Sequence, residues 1–123
     1  MVSAPRGLLK LVTLQLLSES SLSGAQLQEQ IGRASSGAWR PGPGSIYFMV
    51  AELRKDEFIV ELPARGGTTR RYVISNKGKS ELEKMRSGVG KEVKKQLEIL
   101  AFYCELASDR RLAEGLRALA AKI

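Results

Sequence analysis

The sequence predicts a small, mainly helical α+β domain followed by a helical tail. Three observations carry that prediction. Apolar residues recur at helical spacing through about residue 56, the period becomes extended in two short runs flanking a glycine-rich turn, and a second helical period begins at Lys91. A chain of 123 residues has room for one compact domain and one further element.

The first helix is expected over Gly7 to Ser18, where Leu8, Leu9, Leu11, Val12, Leu14, Leu16 and Leu17 make a wide apolar face. The run is about half as long as a membrane span requires, is interrupted by Lys10, Thr13 and Gln15, and precedes no small-residue cleavage site. It reads as a buried helix, no membrane partner is expected, and the chain is expected to be cytoplasmic. Ser23 is a fair cap for a second helix, Gly24 to Ile31, with Leu27 and Ile31 on one face. Pro41 and Pro43 then stiffen the entry to a third helix, Ser45 to about Asp56, capped by Ser45. Ile46, Met49, Val50 and Leu53 are its buried stripe. Phe48, Ala51 and Lys55 lie opposite, with Tyr47 and Arg54 on a flank.

Residues 58–62 and 70–74 are expected as strands, joined by Pro63-Ala64-Arg65-Gly66-Gly67-Thr68-Thr69 as a hairpin tip. Ser75 or Asn76 starts a further helix carrying Leu82 and Met85, which Gly88 and Gly90 punctuate. This divides the chain into residues 1–87, a globular domain, and residues 88–123, a helical dimerisation region. In the second part Val93, Leu97, Leu100, Cys104 and Ala107 step at the spacing of a packing seam. Leu112, Leu116, Leu119 and Ile123 continue it beyond Ser108-Asp109, where a break into two helices is preferred over one continuous helix. A seam backed by polar residues needs a covering partner, most simply a second copy of the chain. The expected interface is Leu8, Val93, Leu97, Leu100, Cys104, Ala107, Leu112 and Leu116; folding back on its own domain is the alternative.

Enzyme chemistry finds little to work with. There is no histidine, the residue most used for general acid–base catalysis, and the single cysteine, Cys104, sits at a seam position as a small hydrophobe. One thiol also excludes an intramolecular disulfide. Asp56-Glu57 and Glu81-x-Glu83 read as solvated charges, and Gly42-x-Gly44 lacks the remainder of a dinucleotide fingerprint. No catalytic residue, metal or cofactor is expected.

Charge points elsewhere. Twenty Lys and Arg against 13 Asp and Glu give a net +7, which favours an anionic partner. From Arg65 to Lys79 there are five cations and no acid. Three helices followed by a hairpin is the order of a winged helix-turn-helix, whose second motif helix enters the DNA major groove by its N-terminus. That assigns Arg40, Gly44, Ser45, Tyr47, Phe48 and Lys55 to the groove or its phosphates. Arg65, Thr68, Thr69 and Arg70 of the wing fall on the backbone or minor groove, and Arg71 contributes less because alternation puts it on the other face. Phe48 and Ala51 could meet thymine methyl groups. Against this, Tyr47 could be a half-buried anchor and Phe48 could lie under the wing. The reading favoured is a sequence-specific, double-stranded-DNA-binding regulator acting as a homodimer; the alternative is a winged-helix protein–protein module that binds an acidic partner.

Trp39-Arg40-Pro41-Gly42-Pro43-Gly44-Ser45-Ile46-Tyr47 resembles the recognition-helix signature of the PadR family of transcription regulators. Leu22-Ser23-Gly24, Leu53 to Val60, and Arg71-Tyr72-Val73-Ile74-Ser75 with Gly78 support the resemblance, which covers roughly residues 8 to 85. It implies an N-terminal winged helix, a two-fold dimer through the C-terminal helices, repression of transcription, and relief by a small-molecule effector. It also implies that Ser45 and Tyr47 contact DNA. Three positions depart from the family pattern: Ala25 stands where Tyr is common, Phe48 where Pro is usual, and Glu57 where Gly is common.

Overall fold

The computed structural model describes residues 4–5, 7–63, 67 and 69–123. The elements are α1 (Leu8–Glu19), β1 (Leu22–Ser23), α2 (Gly24–Ala34), α3 (Pro43–Lys55), β2 (Ile59–Glu61), β3 (Arg71–Ile74), α4 (Asn76–Leu106) and α5 (Arg110–Ala120). Two compact units result, the first ending at Lys84 and the second spanning Met85–Ile123.

The first unit is a winged helix-turn-helix. Its core gathers Leu14 and Leu17 from α1, Leu27 and Ile31 from α2, Ile46, Val50 and Leu53 from α3, Ile59, Tyr72 and Ile74 from the sheet, and Leu82 from α4. Each such aliphatic side chain contributes about 1.5–3 kcal/mol by leaving water. Met49, expected in the α3 stripe, is half-buried at its margin.

The sheet is antiparallel in the order β1-β3-β2. Ile59 pairs with Ile74 and Glu61 with Tyr72 in the wing, while Leu22 and Ser23 pair with Tyr72 and Arg71 on the other edge. The two-residue β1 is absent from the sequence reading because a run that short has no detectable period. Ser23 ends it and caps α2: its hydroxyl accepts from the Gln26 N–H while the Gln26 side chain accepts from the Ser23 N–H.

Three helix boundaries differ from expectation by more than one residue, the first being the end of α2, which runs on from Ile31 to Ala34. α3 starts at Pro43 with Gly42 as its cap, so Ser45 is the third helical residue and not the cap. Proline is favoured at a first helical position, where its missing N–H would have no partner anyway. α4 runs without interruption through Gly88 and Gly90, because a glycine weakens a helix by only about 1 kcal/mol and the flanking residues 81–86 and 91–98 are rich in good helix formers.

The start of α4 is locked by close backbone approach. A Cβ at Gly78 would collide with the Phe58 carbonyl oxygen and lie 2.7 Å from the Ile74 side chain. Ser75 donates to the Glu57 carbonyl at 2.7 Å and accepts from the Gly78 N–H at 3.0 Å. Lys10 and Lys77 place their ammonium groups 5.0 and 5.5 Å from the Phe58 ring centre, and Lys10 also reaches Glu81 at 3.3 Å.

In the second unit α4 ends at Leu106, and Asp109 caps α5 by accepting from the Leu112 N–H. Ser108, at φ 63°, makes the reversal. α5 returns along α4: Arg117 pairs with Glu105, and a Cβ at Gly90 would lie 3.6 Å from Ile123. That pairing, chiefly the Arg117 hydrogen bond, holds the Glu105 carboxyl below the usual carboxylate range. Ala101, Ala113 and Ala120 are nearly inaccessible, small enough for two helices to approach closely.

Candidate nucleic-acid interface

The core contacts of α3 determine what the helix shows to solvent. Ile46, Val50 and Leu53 are buried, so residues offset by half a turn must face outward. Gly44, Ser45, Tyr47, Phe48, Ala51 and Lys55 are all exposed. Tyr47 and Phe48 retain 65% and 67% of their full exposure, large values for aromatic side chains. Phe48 is therefore not under the wing, and Tyr47 is not a half-buried anchor.

The helix N-terminus is open. Its first intrahelical bond is from the Ile46 N–H to the Gly42 carbonyl, which leaves the Gly44 and Ser45 N–H groups free of such partners. The loop before it is braced. The Ser35 hydroxyl donates to the Trp39 carbonyl at 2.8 Å and accepts from the Trp39 N–H, and Gln28 donates to the Pro41 carbonyl at 2.9 Å. Arg40 is exposed, with its guanidinium laid over Gly32, so a Cβ there would lie 2.9 Å from Nε. Gly32 lets this cation sit close to the end of α2.

A cleft of about 330 Å³ separates α3 from the wing, lined by Ser23, Gly24, Ala25, Tyr47, Thr69, Arg70 and Tyr72. Ala25, exposed at the start of α2, is thus an open wall of this cleft.

On the wing, Thr69 and Arg70 are exposed beside the cleft, whereas Arg65 and Thr68 lie outside the described residues. Arg71 donates to the Ser21 carbonyl at 3.0 Å, which ties it to the β1 side of the sheet. The sequence reading missed Glu61. The stretch from Arg65 to Lys79 is free of acids only along the chain; across the hairpin, the Glu61 carboxylate lies 3.7 Å from Arg70 and 3.8 Å from Arg54. The pairing of Glu61 with Tyr72 puts it there, information that strand register carries and composition does not.

The residues assigned to a dimer interface divide between two environments. Val93, Leu100, Ala107 and Leu112 are exposed, whereas Leu8, Leu97, Cys104 and Leu116 are partly covered. Ile99, Phe102, Tyr103 and Leu106 are exposed as well, at 57–71%, and were not singled out from spacing. Among the described residues no cluster of potential metal ligands occurs, and no helix is long and apolar enough to cross a membrane.

A winged helix that shows a bare recognition helix beside a basic hairpin defines a DNA-binding regulator. Residues 13–84 match the model of the transcriptional regulator PadR-like family, and the chain belongs to that family, whose members are transcription regulators and not enzymes. Among solved structures it is similar to a transcriptional regulator from Clostridium thermocellum, with a TM-score of 0.66, 19% identity, and coverage of 71% of this chain and 86% of that one. A PadR-like regulator from Bacillus cereus gives 0.59 and 25% identity over 70% and 84% of the two chains. Bacillus subtilis PadR in complex with operator DNA gives 0.58 and 16% identity over 96% and 94%. Comparison with curated protein sequences finds no match.

Proposed function

We propose that this regulator is a homodimeric repressor that binds near-palindromic duplex DNA through Ser45, Tyr47 and Phe48 of α3, with Arg40, Lys55, Thr69 and Arg70 on phosphates. The observation that carries the dimer is the exposed row Val89, Val93, Leu100 and Tyr103 on α4. These positions step by four, seven and three, which keeps them on one face. An exposed apolar row of this kind, interrupted only by Gln96 between Val93 and Leu100, marks an interaction surface, and a second copy supplies a self-complementary cover. Support for the binding mode comes from the family and from the similar fold of B. subtilis PadR, which was solved with operator DNA. We extend the proposal to relief by a small effector, as the family resemblance implies; among the described residues, one cleft on the second unit is lined by Lys94, Glu98, Arg117, Ala120 and Ala121 and another by Glu105, Arg110, Glu114 and Arg117.

The test is selection of duplexes from a genomic library by the full-length protein, followed by titration at several salt concentrations. The expected result is a two-fold-symmetric motif, affinity that falls steeply with salt, and lower affinity for random duplex. Absence of duplex binding at moderate salt would overturn the reading.

A further inference from the structure

The outward row of α3 has an unusual composition for a helix in a polar groove. Gly44, Phe48, Ala51 and Lys55 follow at intervals of four, three and four, opposite buried Ile46, Val50 and Leu53. The first three members carry no side-chain hydrogen-bond donor or acceptor. Polar side chains occur beside the row, at Ser45, Tyr47, Arg54 and half-buried Glu52, or at its far end, at Lys55. Gly44 has open space where a Cβ would be, so nothing crowds the approach to Phe48. A phenyl ring 67% exposed at the centre of this row loses nothing polar on burial and gains from any apolar surface it covers.

The major groove offers one such surface. Of the four bases, only thymine presents an apolar group there, its C5 methyl; guanine, adenine and cytosine edges offer donors and acceptors that Phe48 and Ala51 cannot satisfy. Seating the ring against those edges would strip them of water without replacement, which costs free energy.

We propose that Phe48, flanked by Ala51, reads a 5-methylpyrimidine, so each operator half-site carries thymine where Phe48 meets the groove. This rests on the DNA-binding reading above. One consequence is that 5-methylcytosine can stand in for thymine at the methyl contact while unmethylated cytosine cannot, which would make the site sensitive to cytosine methylation.

The experiment uses the full-length protein and duplexes it enriches from a random library. Each thymine is replaced in turn by uracil, which removes the methyl and leaves base pairing unchanged. For the wild type, one position per half-site should bind about fourfold more weakly for the methyl lost. Phe48→Ala should bind the thymine duplex more weakly and no longer distinguish thymine from uracil there. Phe48→Leu, which keeps an apolar tip, should still distinguish them. A photocrosslink from 5-bromouracil at that position should map to the peptide containing Phe48. Equal wild-type affinity for thymine and uracil at every position overturns the proposal, as does undiminished discrimination by Phe48→Ala or a crosslink confined to wing peptides. Failure to bind any duplex overturns the DNA-binding reading itself, a result distinct from binding without methyl discrimination. Phe48 lies outside the core, so both variants should melt within a few degrees of the wild type, a control read by circular dichroism.

Discussion

An alanine at position 44 would meet no atom within 4 Å, so Gly44→Ala distinguishes what folding needs from what recognition needs. The methyl should stabilise the helix by up to about 1 kcal/mol, while projecting from the face assigned to the groove. Thermal unfolding should rise and affinity for the selected operator should fall; unchanged affinity would mean that Gly44 points away from DNA. Gly78 is the opposite case. Its Cβ would strike the Phe58 backbone, which cannot move without breaking the Phe58 carbonyl's bond to the Ser75 N–H at 2.9 Å, so Gly78→Ala should cost about 3 kcal/mol or more in denaturant unfolding. Glu57, at φ 63°, holds a conformation that disfavours a side chain by about 1–2 kcal/mol. Glycine there loses part of that gain to chain entropy, so Glu57→Gly should stabilise by about 0.5–1 kcal/mol. The departure from glycine at 57 was legible in the sequence, but its cost was not, since a positive φ belongs to the backbone path between α3 and β2. Ser45 shows the same limit: its nearness to the helix start could be read, whereas its role as cap depended on whether Pro43 joined the helix.

At the scale of elements, the wing is less basic than its sequence suggests. Arg70 and Arg54 both face Glu61, and at 3.7 and 3.8 Å these are loose, solvated pairs worth little to folding. A phosphate approaching Arg70 must compete with that carboxylate. Glu61→Gln keeps the shape and removes the charge, so non-specific duplex binding should tighten roughly three- to tenfold at low salt and converge on the wild type as salt screens the difference. A fluorescence-anisotropy titration at two salt concentrations reads this; identical curves at low salt would show that DNA does not come near Glu61. The helices that carry recognition could be located from period alone, because Leu27 and Ile31 in α2, and Ile46, Val50 and Leu53 in α3, recur at helical spacing on one buried face. Strand pairing was the part out of reach: β1 is too short to announce itself, and the register that sets Glu61 beside Arg70 arises from a hairpin whose central residues include the undescribed 64–66 and 68. The glycines of α4 misled for a related reason. Gly88 and Gly90 read as punctuation, yet a long helix absorbs two weak residues when those around them favour it.

The molecule as a whole must cover the apolar surface that its second unit leaves in water. The spacing of Val93, Leu97, Leu100, Cys104 and Ala107 reads as one seam, but it feeds two faces of α4. Leu97 and Cys104 share the side of buried Ala101, where α5 returns, and Val93 and Leu100 join Val89 and Tyr103 on the exposed side. Spacing could not separate them, because residues three and four apart straddle both faces until a neighbouring helix selects one. The division makes the dimer proposal testable by two substitutions of the same chemistry. Leu100 is 46% exposed in the single chain, so Leu100→Glu leaves the helical hairpin intact and puts a charge into the stripe assigned to the partner. Ala101→Glu, one residue on, forces a carboxylate into a site with no room and should destabilise the second unit itself. Leu100→Glu is therefore expected to retain its helical circular dichroism and sediment as a monomer at micromolar concentration. Losing the link between half-sites should also weaken operator binding by about a hundredfold or more, with a much smaller effect on a single half-site, because the second contact is no longer intramolecular. A Leu100→Glu protein that remains dimeric with undiminished operator affinity would remove the exposed α4 stripe from the interface and leave the half-exposed leucines of α1 as the surface to test next.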